Sequence, residues 1–174
     1  MADAFQVVRD FERGLCEYTG APYAVTTTSC TAALMLAVAW KLRNDGPAGS
    51  SYAPEVRRPR ILRTPIEIPK RTYVGVPCAI QHAGGRVVFR DEDWRGWYGL
   101  APIGVVDSAR WFSSGMYPNT HQQQMWCVSF HASKTLGDSQ GGAILHDDPE
   151  ADKWLRRARF DGRANAAACA AARP

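Results

Sequence analysis

The chain lacks several features that would place it quickly. No apolar run reaches the roughly 20 residues of a membrane span. The longest candidate, residues 32–40, is followed by Lys41 and Arg43. The opening Met-Ala-Asp-Ala-Phe is not a basic and then apolar leader, so a cytoplasmic location is expected. Cysteine is sparse and odd in number: Cys16, Cys30, Cys78, Cys127 and Cys169 are widely spaced, which argues against a disulfide framework. There is no Gly-Lys-Ser/Thr pair of a Walker loop and no internal repeat.

What is present describes a globular α/β chain. Of its 174 residues 45% are hydrophobic and 22% charged, enough to bury a core and too apolar for disorder. The net charge is +4. Much of the excess sits at Arg57, Arg58, Arg60 and Arg63, and again at Arg156, Arg157, Arg159 and Arg163. Either cluster suits phosphate or nucleic acid. Neither is interleaved with aromatics as a strand-binding groove would be, and solvated faces are the plainer reading.

Periodicity orders the elements. Phe5, Val8, Phe11 or Glu12, and Leu15 predict an amphipathic helix over residues 4–18, stopped by Gly20 and Pro22. A short strand follows at 23–25, then a polar turn at 26–29. Residues 31–42 are apolar on nearly every face, which predicts a buried helix capped by Ser29. Residues 44–65 read as a polar insertion. Strands are expected at 66–68, 86–90, 103–106, 125–130 and 142–146. Helices are expected at 73–82 and 149–159, and a loop at 91–100. The tail, 164–174, is mostly alanine. Strands alternating with helices imply a mainly parallel, mixed sheet covered on both faces, with ligands beyond the carboxyl ends of its strands.

Three polar turns fall at those strand ends. Ser29-Cys30-Thr31 opens a buried helix, where free N–H groups and the helix dipole suit a phosphate, although a simple cap has the same composition. Asp107 follows Val105-Val106. An ionised carboxylate there holds a ring nitrogen protonated, as pyridoxal phosphate (PLP) chemistry requires, or merely caps a helix. Ser129 ends an apolar strand and Lys134 follows five positions later; a lysine so placed condenses with an aldehyde cofactor, whereas a lone lysine is ordinarily a surface residue. Tyr73, expected to start a helix, offers a ring for stacking.

These pieces, in this order, resemble the DegT/DnrJ/StrS family of PLP-dependent sugar aminotransferases. The resemblance covers about residues 5–163. It rests on Phe11-Glu12 with Tyr18-Thr19-Gly20, Tyr23-Ala24-Val25, Ser29-Cys30-Thr31-Ala32-Ala33-Leu34, Ile68-Pro69 with Thr72-Tyr73-Val74, Ala83-Gly84-Gly85 with Val88-Phe89-Arg90-Asp91, Asp107-Ser108-Ala109, Ser129-Phe130 with Lys134, Gly141-Gly142-Ala143, and Arg159 to Gly162. It implies the aspartate aminotransferase (type I) fold, with 1–163 as the PLP-binding large domain and the small domain absent. It further implies Lys134 as catalytic residue and cofactor anchor, Asp107 on the pyridine nitrogen, and Tyr73 on the ring. Cys30, Thr31 and Ser129 would hold the phosphate, and Arg110 would lie near the cofactor where the family often has glutamine. Transfer of an amino group from glutamate or glutamine to a nucleotide-linked keto-sugar, in a homodimer, is the implied activity. Lysine rather than histidine at 134 favours transamination over dehydration.

The chain departs from the family at Cys30, usually glycine, and in the short link between Asp91 and Ile103, where a further strand and helix are usual. Three other readings compete. One is an inactive remnant that keeps the fold. A second is a basic nucleic-acid module. The third is a zinc site built on Cys78-x3-His82 and Cys127-x3-His131. Cys127 to His131 begins on a strand, where ligands four apart are drawn away from each other.

Overall fold

The computed structural model describes residues 5–44, 65–117, 123–137, 140–160 and 162. Apart from its end residues, the expected insertion at 44–65 lies outside them, as do the tail, the first arginine cluster and Arg163. The order is α1 (Gln6–Thr19), β1 (Tyr23–Thr27), α2 (Cys30–Asn44), β2 (Pro65–Pro69), α3 (Gly75–His82), β3 (Arg86–Arg90), β4 (Tyr98–Leu100), β5 (Val105–Asp107), β6 (Met125–Ser129), β7 (Gly142–His146) and α4 (Pro149–Ala158).

Five strands form one sheet in the order β1-β7-β6-β5-β4, and β2 pairs with β3. A bridge between Glu67 and Ala101 joins the two sets, the Glu67 N–H donating to the Ala101 carbonyl at 2.8 Å. β5 runs parallel to β6 and β2 parallel to β3, whereas β7 is antiparallel to both β1 and β6, and β4 to β5. The bridge is antiparallel, so β1, β2, β3, β5 and β6 all point one way and only β4 and β7 oppose them. The expected mixed α/β sheet is therefore present; five of its seven strands share a direction, although most neighbouring pairs are antiparallel because β4 and β7 lie between them.

Burial explains the elements. β6 and β7 are buried at all five positions, as strands covered on both faces must be. Alternate side chains feed two cores. Val105, Cys127 and Ile144 face α2, whose Ala33, Leu34, Ala37 and Val38 are buried against them together with Ile66, Ile68, Ile80 and Leu155. Val106, Trp126, Val128 and Leu145 face the other way, toward Leu15 of α1. Each large side chain so buried contributes about 1.5–3 kcal/mol, far more than helix propensity does. The all-round apolarity of α2 thus serves a helix enclosed by sheet, α3 and α4.

Local signals set the ends. Gly20 closes α1 with φ +81°, a left-handed conformation suited to glycine, and its N–H donates to the Cys16 carbonyl. Asp148 caps α4, its carboxylate accepting from the N–H groups of Glu150 and Ala151. Several expectations are corrected. Thr26 and Thr27 belong to β1, paired with Ala143 and Gly142, rather than to a turn. Residues 98–100 are strand β4, not loop. The expected strand at 103–106 is displaced to Val105–Asp107, because residues 101–104 reverse the chain, the Ile103 N–H donating to the Leu100 carbonyl.

A buried ion cluster joins both ends of the described chain. The Glu12 carboxylate accepts from the Thr26 N–H at 2.9 Å and hydroxyl at 2.8 Å, and from Arg156 and Arg159 of the C-terminal helical segment. Two members of the second arginine cluster therefore balance an internal carboxylate instead of forming a solvated or nucleic-acid-binding face. Burial alone would raise the Glu12 carboxyl, but the two guanidinium charges and the Thr26 N–H outweigh it and hold it below 4.5.

Acidification should unfold the domain in two stages. Burial pushes the His146 imidazole down to about 4 from 6.5, against the pull of Asp152. The unfolded chain takes up that proton first, so stability falls between pH 6.5 and 4. The Glu12 contribution is full above 4.5 and is lost as pH falls below it. In urea unfolding across this range, His146→Phe should flatten the upper stage. Glu12→Gln should flatten the lower one and destabilise by about 3 kcal/mol at neutral pH. An unchanged upper slope in His146→Phe would contradict the assignment.

Candidate functional site

Because five strands share a direction, their carboxyl ends meet at one sheet edge. The turn after β1, the segment after β2, and the turns after β5 and β6 all open there. The N-terminal ends of the reversed strands β4 and β7 reach the same edge, since Tyr98 is paired with Asp107 and Gly142 with both Thr27 and Ser129.

The turn before α2 is held from three sides. The Ser29 hydroxyl accepts from the Ala32 N–H at 3.1 Å, and its carbonyl accepts from the Ala33 N–H at 3.0 Å and the Thr27 hydroxyl at 2.9 Å. β7 presses on it from behind. A Cβ at Gly142 would lie 2.6 Å from the Cys30 nitrogen and 2.7 Å from the Ser29 carbonyl carbon, so only glycine permits this approach. The first N–H groups of a helix have no partner within it and carry the positive end of its dipole. The Cys30 thiol is buried and donates to the Cys127 carbonyl at 3.6 Å. Burial, then the charge of Asp107, raises that thiol well above its usual range, with Lys134 opposing. Cys30 thus offers backbone rather than thiolate. Thr31, half-buried, stands against Gly75.

Asp107 ends β5 with only 6% of its surface exposed. One carboxylate oxygen accepts from the Ala109 N–H at 2.9 Å, the other from the Tyr98 hydroxyl at 2.8 Å. Burial raises its carboxyl; the two hydrogen bonds and the charge of Lys134 pull in the other direction without overcoming it. Ser129, buried at the end of β6, accepts from the His131 N–H at 3.4 Å. Lys134 is half-buried, with its N–H donating to the His131 carbonyl at 2.8 Å. The Thr135 hydroxyl donates to the Arg110 carbonyl at 3.2 Å, tying the turn after β6 to the turn after β5.

The structure thus brings Cys30, Thr31, Asp107, Ser129 and Lys134 to one edge. Tyr73 reaches it with a correction: it precedes α3 rather than starting it, because its carbonyl accepts from Val76 in a turn ahead of Gly75. Tyr73 is 70% exposed as a residue, and its ring lies next to Thr31, both within 3.0 Å of where a Gly75 Cβ would stand. Arg110 is exposed, and only its carbonyl contact places it near the others. Tyr98 was missed in the sequence, since three residues are too few to show a strand period. Gly142 has no local signal of its role, because the backbone it meets belongs to residues 29 and 30. An open hollow of about 460 Å³ lined by Phe11, Phe130, Leu136, Gly137 and Gln140 adjoins this region, but none of the converging polar groups lines it. No group of three or more potential metal ligands gathers among the described residues, and Cys78 is exposed on α3 while Cys127 is buried in β6.

Comparison with known proteins adds independent findings. No curated protein matches the chain. Among solved structures, the sugar aminotransferase CalS13 from Micromonospora echinospora superposes with a TM-score of 0.67 at 18% identity, over 94% of this chain and 52% of its own. DesI, solved in the presence of its TDP-sugar product, gives 0.59 at 20%, over 94% and 47%. A putative PLP-dependent aminotransferase from Bacillus cereus gives 0.61 at 18%, over 86% and 48%. At such identities the likeness is one of fold, and the chain spans about half the length of these structures. The model of the DegT/DnrJ/EryC1/StrS aminotransferase family matches residues 3–98, a span that holds the turn before α2, Tyr73 and Tyr98 but ends before Asp107 and Lys134. Since that span is more than half of the 174 residues, the chain belongs to the DegT/DnrJ/EryC1/StrS aminotransferase family.

Proposed function

We propose that the chain binds pyridoxal 5'-phosphate and serves transfer of an amino group from glutamate or glutamine to a nucleotide-linked keto-sugar. The observation that carries the reading is the meeting of a helix N-terminus, a buried carboxylate and a lysine at one sheet edge. Family membership and the fold shared with sugar aminotransferases support the substrate class. The groups present fit the cofactor. The turn before α2 supplies N–H donors for a phosphate, and Asp107 keeps acceptor capacity after its two internal hydrogen bonds.

In this reading the N–H groups at Cys30 and Thr31, with the Ser129 hydroxyl, bind the phosphate. Asp107 keeps the ring nitrogen protonated. Tyr73 covers the ring face, and Arg110 lies at the margin of the site. Lys134 would hold the cofactor through its side-chain amine, the aldehyde oxygen leaving as water, and would carry a proton as general acid and base. Bound PLP supplies an electron sink. Residues 1–163, with the insertion at 44–65, are the cofactor-binding large domain, and 164–174 a tail. The protein acts in the cytoplasm as a homodimer. Among the described residues no helix is long and apolar enough to cross a membrane.

Titration of the purified chain with PLP should give a yellow absorbance that borohydride abolishes while fixing the reduced cofactor on the protein. Lys134→Ala should bind PLP without covalent fixation, and equal spectra for the two proteins would end the reading. Gly142→Ala places a methyl group against backbone that cannot yield. It should weaken PLP binding about tenfold or more while leaving secondary structure in place, measured by fluorescence titration and circular dichroism. Unaltered affinity would show that the turn before α2 does not hold the phosphate.

A further inference from the structure

The reversed strand β4 carries a group that nothing in the proposed chemistry uses. Tyr98 is 2% exposed, its ring lies tilted against Trp94 at 4.7 Å between centroids, and its hydroxyl donates to Asp107. The same hydroxyl meets the Thr72 hydroxyl. A phenol has one proton. With that proton given to Asp107, the Thr72 hydroxyl must donate to the Tyr98 oxygen, so the three groups form a directed chain, Thr72 to Tyr98 to Asp107. Such chains polarise each link and strengthen the last one. Thr72 immediately precedes Tyr73, and the chain therefore couples the segment after β2 to the end of β5 across the bridge at Ala101.

We infer that Tyr98 is a positioning residue for Asp107, orienting and acidifying its carboxylate so that one oxygen stays ionised and aimed at a protonated ring nitrogen. The inference rests on the reading of Asp107 as the partner of the PLP nitrogen. Its physical basis is the balance around a buried carboxylate. The charged or titratable groups facing Asp107 are Tyr98 from β4, Cys30 from α2, Cys127 from β6 and Lys134 from the turn after β6. Burial raises both thiols and the Tyr98 phenol, so these three stay neutral. Among the described residues only Lys134 brings a positive charge to Asp107, and in the proposed function that amine would be engaged with the cofactor. The Tyr98 hydroxyl and the Ala109 N–H then remain as the donors that keep Asp107 ionised. Because β4 is antiparallel and three residues long, its first residue is the one set opposite Asp107 in the register. The short link between Asp91 and Ile103 thereby delivers a hydroxyl to this spot.

The test compares the full chain with Tyr98→Phe, Asp107→Asn and the double variant, each titrated with PLP from pH 6 to 9 while absorbance is recorded. Tyr98→Phe removes one oxygen and keeps the packing against Trp94. It should weaken PLP binding roughly tenfold near pH 6 and by much less near pH 9, because an Asp107 without its donor protonates more readily at low pH. Taking the ratio to the unaltered chain at each pH cancels the titration of Lys134 and of the cofactor. Asp107→Asn should weaken binding at every pH, and adding Tyr98→Phe to it should change nothing further. A carbon-13 titration of the Asp107 carboxyl in the cofactor-free chain should show the same upward displacement in Tyr98→Phe. An effect of Tyr98→Phe that is equal at all pH values, or additive with Asp107→Asn, marks a packing role and overturns the inference. An unaltered Tyr98→Phe beside an impaired Asp107→Asn overturns it while leaving the reading of Asp107 intact. Unaltered binding by Asp107→Asn, or no PLP uptake by the unaltered chain, removes that reading and the inference with it.

Discussion

The shared direction of five strands is the constraint on which the rest of this structure depends. A helix N-terminus at Cys30, a carboxylate at Asp107 and a lysine at Lys134 are widely separated in the chain, yet each follows a strand whose carboxyl end reaches the same sheet edge. The two reversed strands contribute by exception. β7 enters between β1 and β6 with a glycine at its first position, and its bare backbone lets the turn before α2 close against it. β4 brings its first residue, Tyr98, opposite Asp107.

Two buried carboxylates show how differently one fold treats the same chemistry. Glu12 meets two guanidinium groups and is held ionised below its ordinary range; it binds α1, β1 and the end of α4 into one body. Asp107 meets a neutral hydroxyl, a backbone N–H and a lysine charge too weak to offset burial, and its carboxyl is raised. The Glu12 carboxylate thus has its charge balanced within the fold. A carboxylate short of positive charge has something to gain from a ligand, and in the proposed function a protonated ring nitrogen would supply that charge. The contrast lies in the environments of the two carboxylates, more than in the presence of either residue.

Much of this was legible in the sequence because it rests on local signals. Apolar runs marked β6 and β7, Gly20 marked the end of α1, and Ser29 marked the start of α2. Asp107 and Lys134 stood out by following apolar strands, although each alone had an ordinary structural reading. Other features left no local trace. Tyr98 lay in a segment whose three strand residues show no period. Arg156 and Arg159 looked like a surface cluster until α4 packed beside Glu12, and the antiparallel run of β7 depends on partners distant in the chain.

The sequence by itself determined the elements and the residue types at their ends, because turn chemistry, capping and hydrophobic period act over a few residues. Only the tertiary structure decided which of those ends face one another. It also decided which charges are balanced inside, and that a tyrosine hydroxyl reaches the buried aspartate. Strand direction, burial and hydrogen bonding between distant segments exist only once the chain has closed on itself.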